Sequence, residues 1–151
     1  MMALDQSADE AIWFRSIGTV ERSSRGSIRA DDIDGLRAEP VRLVIRPEYE
    51  EALLGLVAGS DILVLTYLAG ASRDTRQVHP RGDLSRPLQG VFATRSPSRP
   101  NPIGLTSARV MAIDGTVLTV VGLDVWDGTP VLDIKHWSEA FDTPYASAPE
   151  S

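Results

Sequence analysis

The sequence predicts a mainly β fold, a small antiparallel β-barrel with one covering helix and long loops. Six or seven short apolar or alternating runs are typical of strands, whereas only residues 47–58 carry a helical pattern. The runs lack the strand-helix alternation of a doubly wound sheet, and no Gly-x-Gly-x-x-Gly motif follows a strand, so a Rossmann nucleotide site is not expected. A chain of 151 residues is long enough for one domain with its own core.

The first half of the chain predicts three strands. Residues 13–20 and 41–45 alternate between apolar and polar side chains, which is typical of strands with one buried face. Residues 61–68 are almost continuously apolar and predict a buried central strand. Between the first two strands, residues 22–35 are polar and rich in glycine and aspartate, so we expect a long loop there.

Residues 47–58 predict the covering helix. Pro47 suits the first helical position, and the glutamates that follow it are favourable near the positive end of the helix dipole. Leu53, Leu54 and Val57 then form an apolar stripe that would pack on the barrel.

The second half predicts irregular structure followed by a hairpin. Residues 69–89 read as a long irregular segment and residues 90–94 as a short strand. Asp114-Gly115 separates two apolar runs, at 105–113 and 116–121, and this arrangement is a strong hairpin signal. Residues 131–134 predict a last strand.

The sequence also predicts the domain division, the cellular location and the metal content of the protein. We divide the chain into an N-terminal extension (1–12), a barrel domain (13–138) and a loose tail (139–151). The acidic N-terminus does not resemble a signal peptide, and no apolar run approaches the roughly 20 residues of a membrane helix, so we expect a cytoplasmic protein without a membrane partner. With no cysteine and two histidines, the chain is not expected to hold a metal.

The net charge of −6 is unevenly distributed. Residues 72–99 carry six arginines against two aspartates, a net charge of +4, and the rest of the chain is therefore −10. A basic strip on an acidic body suggests a local anionic partner, although a solvated loop with scattered ion pairs would have the same composition.

The richest stretch for chemistry is the proline loop, which we define as residues 95–104. Three prolines remove backbone donors and keep it out of regular structure, so its polar groups are held in place at low entropic cost. Its donors include two arginines, whose planar guanidinium groups match carboxylate and phosphate oxygens. The loop therefore predicts a polar or anionic ligand; a purely structural role is the alternative.

The chain resembles the TsaA-like family over roughly residues 14–137. The central resemblance is GVFATRSP at 90–97 followed by RPNPIGL at 99–105, and the closing one is LDVWDGTPVLDIK at 123–135. Further matches are IGTV at 17–20, the helix-strand unit at 49–67 and HPRGD at 79–83.

The resemblance implies a β-barrel that binds S-adenosyl-L-methionine without a Rossmann sheet and pairs as a homodimer. It implies methylation of N6 of threonylcarbamoyladenosine at position 37 of tRNA. By position, the residues implied for cofactor binding are Ala69, Gly70, Arg95, Leu105, Leu123, Asp124, Val125 and Trp126. The basic strip would then meet tRNA phosphates through Arg73, Arg76, Arg81, Arg86 and Arg99.

Methyl transfer needs alignment of donor and acceptor, and a general base would help the departing proton. The candidate bases are His79, Asp83 and Asp133. Trp126 and Trp137 are candidates for stacking on a base, with core packing as the alternative.

The sequence departs from the family pattern at 22–35, at 69–70 and at 136–137. Three functions therefore stay open: a tRNA methyltransferase, a methyltransferase of a small molecule, and a regulatory domain that binds the cofactor without turnover.

Overall fold

A computed structural model describes residues 10–23 and 32–146, and six of its strands close into an antiparallel barrel. The barrel strands are β1 (Gly18–Glu21), β2 (Val41–Ile45), β3 (Asp61–Tyr67), β6 (Ile103–Asp114), β7 (Val117–Val121) and β8 (Pro130–His136). Their order around the barrel is β1-β2-β7-β6-β3-β8. A separate small sheet pairs β4 (Gln77–Val78) with β5 (Gln89–Gly90). The β-barrel expected from the sequence is confirmed.

The core fills the inside of the barrel because successive side chains of a strand point to opposite faces. In β2 and β3 every second residue is buried, and the residues between them face outward. Eight strand residues in this core have 0% exposure: Val20, Leu43, Ile62, Val64, Val110, Leu118, Val120 and Val131. Two residues that follow β7, Leu123 and Val125, join this core from outside the strands.

The covering helix predicted at 47–58 is wrong in type and length. Pro47–Leu53 is a 3-10 helix, and it begins at a proline as expected. Gly55 lies in the left-handed region with φ of +98°, which prevents the helix from continuing. Leu54 is consequently 93% exposed instead of packing in an apolar stripe.

Two other predicted boundaries change. The first strand begins only at Gly18, since residues 10–17 have no regular structure. In the predicted loop at 22–35, residues 24–31 lie outside the described residues, and the end of the loop enters helix α1 (Ile33–Ala38). The Asp32 side chain caps α1 by accepting a hydrogen bond from the Gly35 amide at 2.8 Å, a common use of aspartate at a helix start.

The strand predicted at 90–94 is also wrong. β5 ends at Gly90, and Val91–Ala93 forms a 3-10 turn because Val91 is drawn into a buried position. In the tail predicted to be loose, Glu139–Asp142 forms a single helical turn, α2, and residues 147–151 lie outside the described residues.

The predicted hairpin is confirmed with its turn shifted by one residue. Asp114 pairs with Val117, so the two-residue loop is Gly115–Thr116. Gly115 has φ of +60°, as the first loop position of a type II′ turn requires. Among the described residues, no helix is both long and apolar enough to cross a bilayer.

Candidate functional site

A cleft of about 990 Å³ is lined by four segments of the chain. They are the end of β3 with the turn after it, the proline loop and the residues just before it, the start of β6, and residues 124–130. The ladder between β3 and β6 brings the first three together, because Tyr67 pairs with Ile103. Residues 124–130, which run into β8 beside β3, form the remaining wall.

Backbone hydrogen bonds fasten the proline loop to the segment that follows β3. The Leu68 amide donates to the Pro102 carbonyl at 2.8 Å, and the Arg99 amide donates to the Ser72 carbonyl at 2.9 Å. From the other side, the Arg73 guanidinium donates to the Pro100 carbonyl at 3.0 Å. The loop is therefore held rigidly even though it has no regular structure.

The two arginines of the proline loop have different surroundings. Arg99 is half-buried, and its Nη1 donates to the carbonyls of Thr94 and Ser96 at 3.2 and 3.0 Å. Arg95 is exposed in the cleft and donates one hydrogen bond, from Nη1 to the Leu105 carbonyl at 3.0 Å. A guanidinium has five N–H donors, so Arg95 retains capacity for an anionic ligand.

Two carbonyl groups of residues 123–127 are bound by Arg22 inside the protein. The carbonyls of Leu123 and Val125 accept hydrogen bonds from the Arg22 side chain at 2.6 and 2.9 Å. Within the part of the chain that the structure describes, the backbone N–H groups of Asp124 and Trp126 have no acceptor. The cleft wall therefore offers backbone donors to a ligand.

The same wall carries two carboxylates. Asp127 is anchored, because its Oδ1 accepts a hydrogen bond from the Arg22 backbone amide at 2.7 Å. Asp124 is exposed, and its Oδ1 has a long contact of 3.4 Å from the Thr106 hydroxyl. Asp124 is therefore the better placed of the two to meet a cationic group or a hydroxyl of a ligand.

Three aromatic residues line the cleft: Tyr67, Phe92 and Trp126. Trp126 is 60% exposed and Phe92 is 84% exposed, so neither is held in the core. Trp137 is also partly exposed, and the core-packing alternative for the two tryptophans is wrong. Sequence reasoning missed Phe92; the signal was its place inside the GVFATRSP run.

The structure brings seven of the eight residues proposed for cofactor binding to this cleft. These are Ala69, Gly70, Arg95, Leu105, Asp124, Val125 and Trp126. Leu123 is the exception, since its side chain is fully buried in the barrel core. An apolar side chain at this position packs inward, and its carbonyl is bound by Arg22 inside the protein, so Leu123 does not line the cleft.

The candidate bases His79 and Asp83 do not line the cleft. The His79 ring is restrained by a hydrogen bond between its Nδ1 and the Arg86 carbonyl, 2.8 Å apart. The Ser85 hydroxyl and amide donate to Asp83, and these hydrogen bonds hold the pKa of that carboxyl below its ordinary value. Both residues lie in the segment that connects β4 to β5.

Asp133 is also absent from the cleft lining. Its carboxylate forms an ion pair with Lys135 at 2.8 Å, and the residue lines a separate groove beside the 3-10 helix. The structure therefore leaves all three proposed bases outside the cleft. Among the described residues, no three acidic or histidine side chains group in a way that could hold a metal ion.

The five arginines proposed for tRNA fall into two groups. Arg73, Arg86 and Arg99 already bind internal acceptors, including the Asp83 carboxylate, which lies 3.5 Å from Arg86. Arg76 and Arg81 have no side-chain partner among the described residues. These two are therefore free to bind a phosphate.

Arg22 is a second residue that sequence reasoning missed. The strand period of two places Arg22 on the same inward face as Gly18 and Val20, which was the available signal. The residue is 4% exposed, and its side chain is hydrogen-bonded to two separate segments, α1 and residues 123–127.

Comparison with known proteins identifies the family. Residues 32–143 match the family model of the tRNA-methyltransferase O N-terminal domain. A probable S-adenosyl-L-methionine-binding protein of Methanothermobacter thermautotrophicus is 39% identical over 136 residues, covering 90% of this chain and 97% of its own length. A protein of the same description from Archaeoglobus fulgidus is 40% identical over 132 residues, 87% of this chain, but this chain spans only 36% of its length.

Longer relatives have a more specific description. The mouse tRNA (adenine(37)-N6)-methyltransferase is 40% identical over 97 residues, which are 63% of this chain and 22% of the mouse protein. The crystal structure of TrmO from Pseudomonas aeruginosa superimposes with a TM-score of 0.69 at 27% identity, covering 92% of this chain and 62% of that chain.

Proposed function

The chain belongs to the family of the tRNA-methyltransferase O N-terminal domain, and from this premise we propose that it is an S-adenosylmethionine-dependent methyltransferase acting on N6 of threonylcarbamoyladenosine at position 37 of tRNA. The observation that carries the proposal is the cleft, which is lined by seven of the eight residues chosen from the sequence for cofactor binding.

The residues of the cleft fit the chemical groups of this cofactor. Arg95 can pair with the carboxylate of its methionine part, since carboxylates and guanidinium groups form paired hydrogen bonds. Asp124 can face the positive charges or a ribose hydroxyl, and the amides beside it can bind the adenine edge. Trp126 and Phe92 provide exposed rings against which a flat base can stack. A volume of about 990 Å³ is also sufficient for a ligand of this size.

When bound, S-adenosylmethionine supplies an activated methyl group on its sulfonium. The protein then has to orient the acceptor nitrogen in line with that methyl group, and rigid loops contribute most to such alignment. The proton on N6 needs an acceptor, and we assign this role to Asp124, the exposed carboxylate of the cleft, in place of the three bases outside it. Asp124→Asn, which also removes the proposed contact to the cofactor, should then lower kcat as well as raise KM for the cofactor.

The first test is calorimetric titration with S-adenosylmethionine. We expect one site per chain, and we expect Arg95→Ala to weaken binding at least tenfold because it removes a charged hydrogen-bond donor. The matched control is Arg42→Ala, which removes an exposed arginine paired with Glu21 on the outside of the barrel and should leave the affinity unchanged.

Unchanged affinity in Arg95→Ala would remove that residue from the site. Absence of binding at millimolar cofactor would contradict the methyltransferase proposal as a whole. Binding without methyl transfer to tRNA or to any small-molecule acceptor would instead favour the regulatory domain.

The substrate is tested by transfer of a labelled methyl group to tRNA with and without the threonylcarbamoyl modification. Transfer to the modified tRNA alone supports the proposal. Three of the five proposed tRNA-binding arginines are already occupied by internal acceptors, an observation that favours a small-molecule acceptor as the second candidate. Cofactor binding with methyl transfer to a small-molecule acceptor, and with none to either tRNA, would support that candidate.

We further propose that the protein acts as a homodimer in the cytoplasm. Ile12, Trp13 and Phe14 precede β1 and are all largely exposed, and an apolar segment of this kind is favourable to bury in a subunit interface. Sedimentation velocity should give the mass of a dimer, and Trp13→Ser should shift the equilibrium toward the monomer. A monomer at all concentrations of the wild-type protein would contradict this proposal.

A further inference from the structure

Arg22 is a buried charge at the end of β1. Its side chain is only 2% exposed, and burying a guanidinium is unfavourable unless it is paired and its donors are satisfied. Glu39, just beyond the end of α1, provides the opposite charge, with Oε2 2.8 Å from Nη1 of Arg22. The burial cost of the pair suggests that this arginine has a task that an apolar residue would not perform.

Three further N–H groups of Arg22 donate to backbone carbonyls. Nη2 donates to Leu123 at 2.6 Å and Nε donates to Val125 at 2.9 Å. Nη1 also donates to the Leu36 carbonyl in α1 at 3.0 Å. One side chain therefore joins α1 to the segment 123–127, and the Arg22 backbone amide adds a bond to Asp127 at 2.7 Å.

This connection matters because the segment 123–127 has no strand ladder of its own. Arg22 fixes the carbonyls of Leu123 and Val125. The side chains of Asp124 and Trp126, by contrast, reach the cleft. Arg22 itself does not line the cleft. Any influence that it has on a ligand must act through this segment.

We propose that Arg22, neutralised by Glu39, is a positioning residue that holds the segment 123–127 in the conformation that binds the cofactor. The inference rests on the proposed function of the cleft. It requires the fork of arginine rather than a positive charge alone, because two carbonyls and a carboxylate are bound in different directions.

The test compares Arg22→Lys and Glu39→Gln with the wild type and with Arg42→Lys. Arg42 forms an ion pair with Glu21 of similar length, 3.0 Å, but on the exposed surface, so Arg42→Lys is the matched control. Affinity for S-adenosylmethionine is measured by calorimetry at a temperature where circular dichroism shows every variant to be folded. Hydrogen exchange of the amides in 123–127 is measured without ligand.

We expect Arg22→Lys to weaken cofactor binding at least tenfold and to speed exchange in 123–127 while the core strands remain protected. Glu39→Gln should change both quantities in the same direction by a smaller factor, and Arg42→Lys should change neither. Folded Arg22→Lys and Glu39→Gln with wild-type affinity and exchange would overturn the inference and show a structural ion pair only.

Failure of the proposed function gives a different result. A wild-type protein that binds no S-adenosylmethionine would overturn the function of the cleft, and the inference about cofactor binding would fall with it. The exchange data would still show, independently, whether Arg22 anchors the segment 123–127.

Discussion

At the scale of single residues, Gly104 shows how closely two barrel strands approach beside the cleft. A Cβ atom at this position would clash with Oγ1 of Thr66, its partner across the ladder between β3 and β6. Thr66 is buried, and its β-branched side chain has little rotamer freedom with which to move away. Glycine is therefore required here for space, and not for an unusual φ.

We predict that Gly104→Ala lowers the free energy of unfolding by about 1–3 kcal/mol, the usual cost of overpacking a core. Gly70→Ala is the matched control, since a Cβ there would meet no atom within 4 Å and the residue does not have a positive φ. Urea denaturation followed by circular dichroism measures both. Equal urea midpoints for the two variants would show that β3 and β6 can move apart without a loss of stability.

Arg81 is the one non-glycine residue with a positive φ, +59°, among the described residues. An L-residue in this region is strained by about 1 kcal/mol, and glycine is not. Arg81→Gly should therefore raise the free energy of unfolding by less than that amount, because glycine also adds entropy to the unfolded chain, while it weakens tRNA binding. Arg76→Gly, at an ordinary φ, should weaken tRNA binding and lower stability. The same sign of stability change in both variants would contradict the strain at Arg81.

At the scale of secondary-structure elements, the ion pair of Asp61 and Arg109 links β3 to β6. The two residues are ladder partners, and the guanidinium donates to both carboxylate oxygens at 2.7 and 3.1 Å. This hydrogen bonding is the main reason that the pKa of Asp61 lies below its ordinary value. A lowered carboxyl pKa stabilises the fold above the pKa of the unfolded chain, and this stabilisation is lost as pH falls through the lower value.

Asp61→Asn should therefore flatten the acid side of the stability profile. We expect the difference between the urea midpoints at pH 6 and pH 3 to be smaller in the variant than in the wild type. Because both side chains are exposed, the change is expected to be small. Arg109→Met removes the other half of the pair and should give the same flattening. Profiles parallel to the wild type in both variants would exclude the pair as a source of acid sensitivity.

The strands were predictable from the sequence because their signal is local. Alternation identified β2 and the β6–β7 hairpin, and burial on the inner face explains why it did. The 3-10 helix has the composition of an α-helix, so the sequence pattern did not distinguish the two. Gly55 ends it in the left-handed region, and that conformation is set by the tertiary structure and not by the local sequence.

The site was only partly predictable for a related reason. Family motifs identified the residues that face the cleft, but they gave no information on which side chains bind internal partners or pack in the core. Arg99 and Leu123 both lie in the family motifs. However, Arg99 binds nearby backbone carbonyls and Leu123 fills the core. The role of Arg22 depends on contacts with residues about one hundred positions away, which no local pattern contains.

At the scale of the whole molecule, the charge distribution sets how the protein would meet tRNA. Residues 72–99 are +4 on a chain whose net charge is −6, so an anionic partner is attracted to one region and repelled from the rest. The structure reduces the number of arginines available there, because Arg73, Arg86 and Arg99 have internal partners. Long-range attraction therefore depends on the whole strip, whereas direct contact depends on few of its members.

The salt dependence of tRNA binding separates these contributions. Each phosphate contact with a single strand adds about 0.7 to the slope of log affinity against log salt concentration, so the double variant Arg76→Ala, Arg81→Ala should lower that slope by about 1.4. Arg73→Ala is the control, since its side chain is engaged with Pro100 and Asn101 and should change the slope little. Filter binding across a range of salt concentrations measures all three proteins. A slope unchanged in the double variant would mean that the tRNA backbone lies elsewhere on the barrel, and an equal loss in Arg73→Ala would mean that internal partners give way when tRNA binds.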